Sequence, residues 1–429
     1  MKKRASRKPN EVSRRGFIKA SAAAGVAAVL GGQERLFAAG SDKIRVGLIG
    51  CGGQGTRDTI SCLSSSENVE LVAMGDLFRD RLNESLEKLK GEEIISEKVN
   101  VPVDRRFVGF NAYKKVIASD VDLVLIVTPP HFHPQQVKAA IEADKHVFVE
   151  KPAAVDPVGI RSLIATSELA EQKGLSIVAG TQRRHNAPHL EIMKRIHRGD
   201  IGEIVAAQCY YNIGQMVGYW TYYEREGLSD MEWQCRNWPW FTWLSGDHIV
   251  EQHVHNLDII NWALQAHPAQ AMGMGGREVR KLGNIFDHFA VEYEYPNGVR
   301  VLSMCRQIEG CSIREGERIV GTKGIAHGSG AIEGQNPYKF EGESRDAYEQ
   351  EQADLIASIR QGKPLNHGRR LAESTMTAII GRMSAYTGRA LKWDWAMNAS
   401  KLDYTPPSYD FDIDFPASPA AVPGKTQLI

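Results

Sequence analysis

The sequence IRVGLIGCGGQG, residues 44–55, decides the fold of the N-terminal half. Its first six residues form a short apolar run that predicts a buried β-strand. The next six have the spacing G-x-G-x-x-G and lead into residues 56–63, which are compatible with a helix. A second apolar strand follows over residues 69–74 and ends at Asp76. Strand, glycine turn, helix, strand and acid in this order are typical of a dinucleotide-binding βαβ unit.

Each glycine of this turn has its own task in such a unit. Gly50 permits the tight turn, Gly52 lets the backbone approach a pyrophosphate, and Gly55 lets helix and strand pack closely. The N-terminus of the helix then presents free N–H groups to the phosphates. The alternative is a glycine-rich turn that binds no ligand. The cofactor-binding residues predicted from this unit are Gly50, Gly52, Gly53, Gln54, Gly55 and Asp76.

Asp76 bears on which dinucleotide binds. Its carboxylate can accept hydrogen bonds from the adenosine ribose hydroxyls, and it would repel a 2′-phosphate. Arg79 and Arg81 follow closely in the sequence and weaken that discrimination. NAD is therefore the predicted cofactor, and NADP is the less favoured alternative.

The alternation of strands and helices continues along the chain. A buried strand over residues 121–127 ends at Thr128-Pro129-Pro130, a helix is predicted over 135–143, and a strand over 146–149 ends at Glu150-Lys151-Pro152. Such alternation predicts a parallel sheet with ligands at the carboxyl ends of its strands. This edge adds four predicted cofactor contacts: Thr128, His133, Glu150 and Lys151.

The composition excludes several classes of protein. The chain has 429 residues, of which 42% are hydrophobic and 24% charged, values ordinary for a soluble protein with two or three domains. No run of 18 apolar residues predicts a membrane span. Basic and acidic residues number 52 each, so no excess positive charge favours nucleic acid. Six cysteines are too few for a disulfide scaffold.

The net charge of zero hides an uneven distribution. Residues 1–39 hold nine basic and two acidic side chains, which leaves about −7 for the remainder. Ser13-Arg14-Arg15-Gly16-Phe17-Ile18-Lys19, followed by the apolar run 20–31, resembles a twin-arginine signal peptide. The alternative is a basic tail before a short amphipathic helix. The resemblance implies passage through the twin-arginine translocase, a periplasmic location, and a cofactor already loaded in the cytoplasm.

The motifs together resemble the Gfo/Idh/MocA oxidoreductases. The resemblance implies an α/β N-terminal Rossmann domain and a C-terminal α+β domain with a large open mixed or antiparallel β-sheet. The expected boundaries are 1–39 for the signal peptide, 40–155 for the Rossmann domain, 156–400 for the sheet domain and 401–429 for a tail. It also implies a homo-oligomer, either a dimer or a tetramer. The segments that carry it are the glycine turn, T-P-P-x-x-H at 128–133, H-V-x-V-E-K-P at 146–152, and residues 180–184, 199–202 and 321–324.

Two segments carry the predicted proton chemistry. In the family, the lysine matching Lys151 reaches the substrate hydroxyl. An amine held near the nicotinamide cation could have a lowered pKa and serve as an acid or base. Apolar spacing predicts one amphipathic helix through residues 250–262, with Glu251, His255 and Asp258 on one face. They match the family pattern D-x-G-x-H-x-x-D, which implies that His255 is the general base. Glu251 would orient His255 or bind a sugar hydroxyl.

Other interpretations of this segment remain open. Glu251, His253 and His255 are all types of zinc ligand. His253 and His255 would point about 200° apart on a helix, however, which disfavours a shared ion. No metal is therefore predicted. A helix whose histidines only pack and contact solvent is the further alternative.

The stretch from Tyr219 to Trp243 holds five of the eight tryptophans. Aromatic faces stack on the C–H faces of sugar rings, so this segment could line a carbohydrate pocket. Core or interface packing is an equal alternative. The predicted substrate contacts are Arg183, Arg236, Trp238 and Asp258.

These observations predict an exported NAD(P)-dependent oxidoreductase with a tightly held cofactor, acting on a carbinol of a sugar, glycoside or polyol. One alternative is an NAD-dependent glycoside hydrolase that uses transient oxidation and elimination. The recognised glycosidases of the superfamily lack the E-K-P lysine, so Lys151 favours net oxidoreduction. A noncatalytic sugar-binding sensor is an alternative of another class, and the paired Lys151 and His255 argue against it.

Overall fold

The computed structural model describes residues 43–214 and 222–429. The predicted signal peptide lies outside the described residues, as do Tyr219 and Trp220 of the aromatic segment. Within the described part, no helix is both long and apolar enough to cross a bilayer.

A six-stranded parallel sheet forms the N-terminal half, in the order β3-β2-β1-β4-β5-β6. This order reverses direction between β1 and β4, which is the switch point of a Rossmann fold. The predicted fold class is thereby confirmed. The strands are β1 Ile44–Ile49, β2 Val69–Asp76, β3 Arg106–Val108, β4 Leu123–Ile126, β5 His146–Glu150 and β6 Ile177–Gly180.

Five helices accompany this sheet. They are α1 Gly53–Ser65, α2 Arg79–Gly91, α3 Ala112–Ala118, α4 His133–Glu142 and α5 Pro157–Lys173. The last begins where the Asp156 carboxylate accepts the N–H of Gly159 at 2.7 Å, and it ends before Gly174, which has a φ of 67°. Because α5 leads into β6, the parallel sheet runs to Gly180, beyond the predicted boundary at 155.

The second sheet has nine strands in the order β14-β13-β12-β11-β7-β10-β9-β8-β15. Its only parallel pair among the described strands is β7 with β10, so the sheet is mixed, as predicted. The strands are β7 Ile204–Ile213, β8 Gln270–Gly276, β9 His288–Glu294, β10 Arg300–Gln307, β11 Arg314–Gly321, β12 Gly324–His327, β13 Ala331–Gly334, β14 Tyr338–Lys339 and β15 Leu391–Lys392.

Helices cover one face of this mixed sheet and connect it to the first. The longest contains Arg382, which is fully buried and donates to the carbonyl oxygens of Val155 and Gly246, each at 2.8 Å. This side chain ties the end of the Rossmann sheet to the segment that carries the predicted proton chemistry. The helices are α6 Ala187–His197, α7 Asp230–Arg236, α8 Thr242–Ser245, α9 His248–Glu251, α10 Val254–Leu264, α11 Ala347–Arg360, α12 Gly368–Thr387 and α13 Trp393–Asn398.

His146 makes the stability of the Rossmann sheet depend on pH. Its Nδ1 accepts the N–H of Ser176 at 3.0 Å, and burial lowers its pKa from 6.5 to about 4. The folded state therefore binds fewer protons than the unfolded state, so stability falls as the pH drops from 6.5 through about 4.

We expect His146→Asn to reduce the loss of thermal stability across that interval. The asparagine Oδ1 can accept the same hydrogen bond without titrating. The measurement is the unfolding midpoint as a function of pH, with His327→Asn as the control because His327 lies at a partly exposed pair with Glu333. An unchanged slope in His146→Asn would contradict the assignment.

Candidate active site

The glycine turn forms a cradle at the N-terminus of α1. A Cβ on Gly55 would lie 1.9 Å from the carbonyl oxygen of Gly50, so only glycine fits there. Gly50 has a φ of +96°, and its Cβ would lie 2.5 Å from the carbonyl oxygen of Val127. A Cβ on Gly52 or Gly53 would instead meet nothing within 4 Å. These two positions leave the space that a phosphate group would occupy against the helix N-terminus.

Asp76 lies at one end of this cradle. Its Oδ2 accepts the N–H of Cys51 at 2.6 Å, and its Oδ1 accepts the N–H of Phe78 at 2.8 Å. Burial raises the pKa of Asp76, although these two hydrogen bonds oppose that shift. The carboxylate is thus fixed at the carboxyl end of β2 and lines the cleft.

The cleft continues between the sheet edge and residues from the second half of the chain. Thr128 lines it and donates from Oγ1 to Gln136 Oε1 at 2.7 Å. Phe78 and Arg81 extend the wall beyond Asp76, and Tyr409 comes from the C-terminal tail. A glycine cradle, an acid and a polar sheet edge along one cleft fit a dinucleotide.

His133 lies behind this edge. It is 0% exposed, and its two ring nitrogens lie 2.7 Å from the carbonyl oxygens of Pro152 and Thr128. Burial lowers the pKa of His133 to about 4, and a neutral ring can donate to only one of those oxygens. The predicted cofactor contact is therefore not available to this side chain, which joins two strand ends instead.

Glu150 lies within a group of buried acids beside α1. Its Oε2 accepts the N–H of Lys151 at 2.9 Å, and its Oε1 lies 3.5 Å from Gln54 Nε2. The same Gln54 amide donates to Asp58 at 2.7 Å. Burial raises the pKa of Glu150 to about 7 and also raises that of Asp58. Glu150 and Gln54 thus link the glycine turn to the end of β5.

Lys151 is held by Glu251. Its Nζ donates to Glu251 Oε1 at 2.7 Å and to the Glu251 carbonyl oxygen at 2.5 Å. Burial disfavours the charged amine, but Glu251 and Glu150 outweigh burial and raise the pKa of Lys151. The side chains of this protein thus raise the pKa of Lys151 rather than lower it, because Glu251 lies beside the amine. Lys151 is an ammonium group at neutral pH.

The helix predicted through residues 250–262 is interrupted. It consists of α9, which ends at Glu251, and α10, which begins at Val254. Between them Gln252 accepts from Gln307 Nε2 at 2.6 Å, and His253 Nε2 lies 2.7 Å from Ser303 Oγ. Both side chains thus turn into the mixed sheet. Glu251 and His255 therefore belong to different helices, and the Glu251 carboxylate pairs with Lys151.

His255 is half-buried at the start of α10. Burial lowers its pKa well below the ordinary value, and the positive charges of Lys151 and Arg183 act in the same direction. The imidazole is therefore neutral at pH 7. The charge of Lys151 thus acts on His255 and helps to keep its imidazole neutral.

Two further predicted substrate contacts are engaged within the protein. Arg183 donates to Glu317 at 2.9 Å and to Glu315 at 2.5 Å. Asp258 is 2% exposed and accepts from Arg184 at 2.8 and 2.9 Å. Its carboxylate thus fixes Arg184 and offers no free edge to a substrate.

Arg236 and Trp238 line the end of the cleft beyond Asp76. Arg236 donates to Asp80 at 3.0 Å, and its guanidinium lies 4.0 Å from the ring centroid of Phe78. Arg236 and Trp238, two of the predicted substrate contacts, therefore lie at the end of the cleft that holds Asp76, the predicted ribose-binding acid. Much of the remaining aromatic segment is core, since Trp240, Phe241 and Trp243 are buried.

Two tyrosines from distant elements complete the surroundings of Lys151. Burial raises the pKa of Tyr211, on β7, to about 12, and the charges of Lys151 and Glu251 also act on it. Tyr348, on α11, accepts from Gln182 Nε2 at 3.0 Å, and the guanidinium of Arg57 lies 3.7 Å from its ring centroid. Neither tyrosine belongs to a motif near Lys151 in the sequence, so no local pattern predicts that they lie close to it. Within residues 43–214 and 222–429, no group of three or more His, Cys, Asp or Glu side chains could hold a metal ion.

Family models match both halves of the chain. The oxidoreductase family model with an NAD-binding Rossmann fold matches residues 44–180, and the model of its C-terminal alpha/beta domain matches residues 193–384. The chain belongs to the Gfo/Idh/MocA oxidoreductase family. A model of the twin-arginine translocation signal sequence matches residues 11–31 of this family member, which confirms the predicted signal.

Curated relatives of this Gfo/Idh/MocA protein differ in activity. Glycosyl hydrolase family 109 protein 1 of Bacteroides fragilis is 26% identical over 251 residues, which are 57% of this chain and 52% of the relative. Inositol 2-dehydrogenase of Klebsiella pneumoniae is 25% identical over 221 residues, which are 52% of this chain and 54% of the relative. The chain spans about half the length of the curated relatives it matches.

Solved structures of other proteins share the Gfo/Idh/MocA fold of this chain. The scyllo-inositol dehydrogenase of Lactobacillus casei with NAD(H) and scyllo-inositol has a TM-score of 0.62 at 17% identity, covering 82% of this chain and 99% of that one. Aldose-aldose oxidoreductase of Caulobacter crescentus has a TM-score of 0.63 at 18% identity, with the same coverage. At these identities the likeness establishes the fold.

Proposed function

We propose that this protein is an NAD-containing oxidoreductase that acts on a ring carbinol of a sugar, glycoside or polyol. The observation that carries the proposal is the ion pair of Lys151 Nζ with Glu251 Oε1, at 2.7 Å beside the carboxyl end of β5. The charge of Lys151 also acts on His255 and lowers its pKa. When bound, the nicotinamide ring supplies the hydride acceptor and donor that protein side chains lack. Inositol 2-dehydrogenase among the curated relatives supports this substrate class.

The two side chains divide the work on the substrate hydroxyl. The Lys151 ammonium donates a hydrogen bond to the carbinol oxygen and stabilises negative charge that develops there. The neutral His255 accepts the hydroxyl proton when the carbinol is oxidised and returns it when a carbonyl is reduced. Glu251 keeps Lys151 charged and holds its Nζ in place. Glu251 is thus a positioning residue for Lys151.

The cofactor we propose is NAD rather than NADP, because the fixed Asp76 carboxylate lines the cleft where it would repel a 2′-phosphate. We expect Asp76→Asn to lower the ratio of the NADP Kd to the NAD Kd by about tenfold, equivalent to about 1.4 kcal/mol. Titration of the nucleotide-free protein with both dinucleotides measures the ratio. Asp104→Asn, an exposed acid of the same domain, should leave it unchanged. A constant ratio in Asp76→Asn would contradict the role of Asp76.

Export determines how the cofactor must be held. We propose that the protein reaches the periplasm with its cofactor and retains it, since free NAD is not expected there. The enzyme would then oxidise one sugar and reduce another without exchanging the nucleotide. Denaturing protein purified from the periplasm and assaying the supernatant for NAD tests both points. Absence of nucleotide would contradict retention, and periplasmic delivery of an Arg14→Lys, Arg15→Lys variant at the wild-type level would contradict the route.

Glycoside cleavage through transient oxidation and elimination is the second candidate function. The match to glycosyl hydrolase family 109 protein 1 favours it, and the Lys151 ammonium favours net oxidoreduction. The products distinguish the two candidates. A glycoside incubated without added cofactor yields free aglycone in the hydrolase case. It yields a keto sugar, together with a second sugar reduced, in the oxidoreductase case.

We also propose that the outer face of the mixed sheet joins a second copy of this chain. Met272 and Met274 of β8 align across β9 with Leu302 and Met304 of β10, and these four side chains are 37% to 73% exposed. An apolar patch of this kind is typical of an interface. Light scattering should give a dimer or tetramer, and Met274→Glu with Met304→Glu should shift the mass toward the monomer. A monomeric wild type would contradict the proposal.

A further inference from the structure

One residue of the C-terminal tail, Tyr409, lines the cleft that contains the glycine turn. Residues 385–429 lie beyond the family model of the C-terminal domain, which ends at 384. The backbone N–H of Tyr404 donates to Asp156 Oδ2 at 2.9 Å, and the carbonyl oxygen of Phe415 accepts from Gln234 Nε2 at 2.7 Å. The tail is therefore attached to the Rossmann half at one point and to the second half at another.

The segment between these attachments has two different faces. In Y-D-F-D-I-D-F, residues 409–415, the apolar side chains are half-buried, and Asp410, Asp412 and Asp414 are exposed. This alternation turns one aromatic face inward and one acidic face to solvent.

The inward side chains contact the walls of the cleft. Tyr409 lines it, and its hydroxyl lies 2.8 Å from His131 Nε2. Phe411 packs against Phe78 and Phe110, with ring centroids 6.0 and 5.0 Å apart. Phe78 and Phe110 themselves line the cleft on the side of Asp76. The tail thus holds in place the wall beside the predicted ribose-binding acid.

The end of the segment is anchored in the second half of the chain. The ring of Phe415 lies 5.2 Å from that of Trp243 at an interplanar angle of 81°, an edge-to-face contact. Trp243 in turn donates from Nε1 to Gln234 Oε1 at 2.9 Å. Because Gln234 also binds the Phe415 backbone, this anchor is fixed by both ring packing and hydrogen bonds.

We propose that residues 404–415 form a clasp over the nucleotide cleft, and that Tyr409, Phe411 and Phe415 slow the release of a bound dinucleotide. The inference rests on the proposed function, in which the exported enzyme retains its cofactor. Opening the clasp exposes three aromatic rings to water, which is unfavourable. The clasp therefore acts on the dissociation rate, the kinetic constant through which most changes in affinity occur.

The test compares the two faces of the clasp in the full-length protein loaded with NADH. Loss of NADH fluorescence after mixing with excess NAD gives the dissociation rate constant. The inward variant is Tyr409→Ala, Phe411→Ala, Phe415→Ala, and we expect it to release NADH at least about tenfold faster than wild type. The matched outward variant is Asp410→Ala, Asp412→Ala, Asp414→Ala, for which we expect the wild-type rate.

Equal NADH dissociation rates in the inward and outward variants, whether fast or slow, would contradict the proposed clasp. If the inward variant fails to fold, Tyr409→Phe and Phe411→Leu replace it, since each removes one contact and retains an apolar side chain. We expect each to accelerate release several-fold, and wild-type rates in both would overturn the clasp equally. NADH can be loaded whether or not any sugar is turned over. If no sugar were turned over, the proposed function would be contradicted. The NADH dissociation rates would still test the clasp.

Discussion

Replacement of Lys151 by methionine should lower turnover by about 10²- to 10³-fold, the usual range for the loss of one hydrogen-bond donor that stabilises developing negative charge. Methionine has a similar length and no charge, so it removes the hydrogen-bond donor without opening a large cavity. The affinity for NAD should change much less, because the glycine turn and Asp76 stay in place. Turnover near the wild-type value in this variant would refute the proposed mechanism.

Lys173→Met is a matched control for the loss of a lysine. Like Lys151, Lys173 donates to both a carboxylate and a backbone carbonyl oxygen. Its acceptors are the carboxylate of Asp144 and the carbonyl oxygens of Ile141 and Glu142, at 2.9 to 3.1 Å. The Lys173→Met variant therefore loses hydrogen bonds similar to those lost in Lys151→Met, but at a position away from the cleft. We expect its turnover to equal that of the wild type. If both variants lost activity together, the cause would be the fold rather than chemistry at Lys151.

The pH dependence separates the two groups that act on the substrate hydroxyl, His255 and Lys151. His255 must be neutral to accept a proton, and its pKa lies well below 6.5, so the oxidation rate should fall only at acidic pH. Lys151 must be charged, and its pKa lies above 10.5, so a second fall is expected only at strongly alkaline pH. Glu251→Gln removes one of the two negative charges that together outweigh burial, so the fall in rate at alkaline pH should move to lower pH. If the rate of this variant fell at the same alkaline pH as that of the wild type, Glu251 would not control the pKa of Lys151.

The Rossmann half could be predicted because its signals are local. Gly50 and Gly55 stand where a side chain would meet backbone atoms, so their spacing in the sequence reports a real steric need. The apolar runs mark strands that are buried on both faces. By contrast, the helix predicted through 250–262 breaks because Gln252 and His253 find partners on β10. Those partners are about 50 residues away, and periodicity cannot detect them.

In the candidate site, too, local sequence predicts some features, and other features depend on contacts that only folding creates. The sequence identified Lys151 and His255, but it could not predict their protonation states, which depend on charges brought together by folding. Glu251 is 100 residues from Lys151 in the chain and 2.7 Å from its Nζ. His133 was expected beside the cofactor because it follows a strand end. Its ring instead turns between two backbone carbonyls, an orientation that only the packed structure determines.

Replacement of Gly52 by aspartate should abolish dinucleotide binding without destabilising the protein. Gly52 is the N-cap residue of α1, with a φ of −72° and a ψ of −174°, a conformation open to any residue. Aspartate is among the most favourable N-cap residues and would satisfy helix N–H groups that glycine leaves free. On stability grounds alone, glycine is therefore the poorer choice at this position. Its Cβ would project into open space within the cradle, where the added carboxylate would oppose the phosphates.

Calorimetric titration and thermal unfolding test both halves of this expectation. The Kd for NAD should rise by at least about 100-fold, which corresponds to about 2.7 kcal/mol. The unfolding midpoint without nucleotide should stay equal or rise slightly, since a cap contributes a few tenths of a kcal/mol over glycine. Gly91→Asp adds the same side chain to an exposed helix end, where a Cβ also meets nothing within 4 Å, and should bind NAD normally. Normal binding by Gly52→Asp would mean that the cradle does not hold phosphate, because steric access and charge would both have been changed without effect.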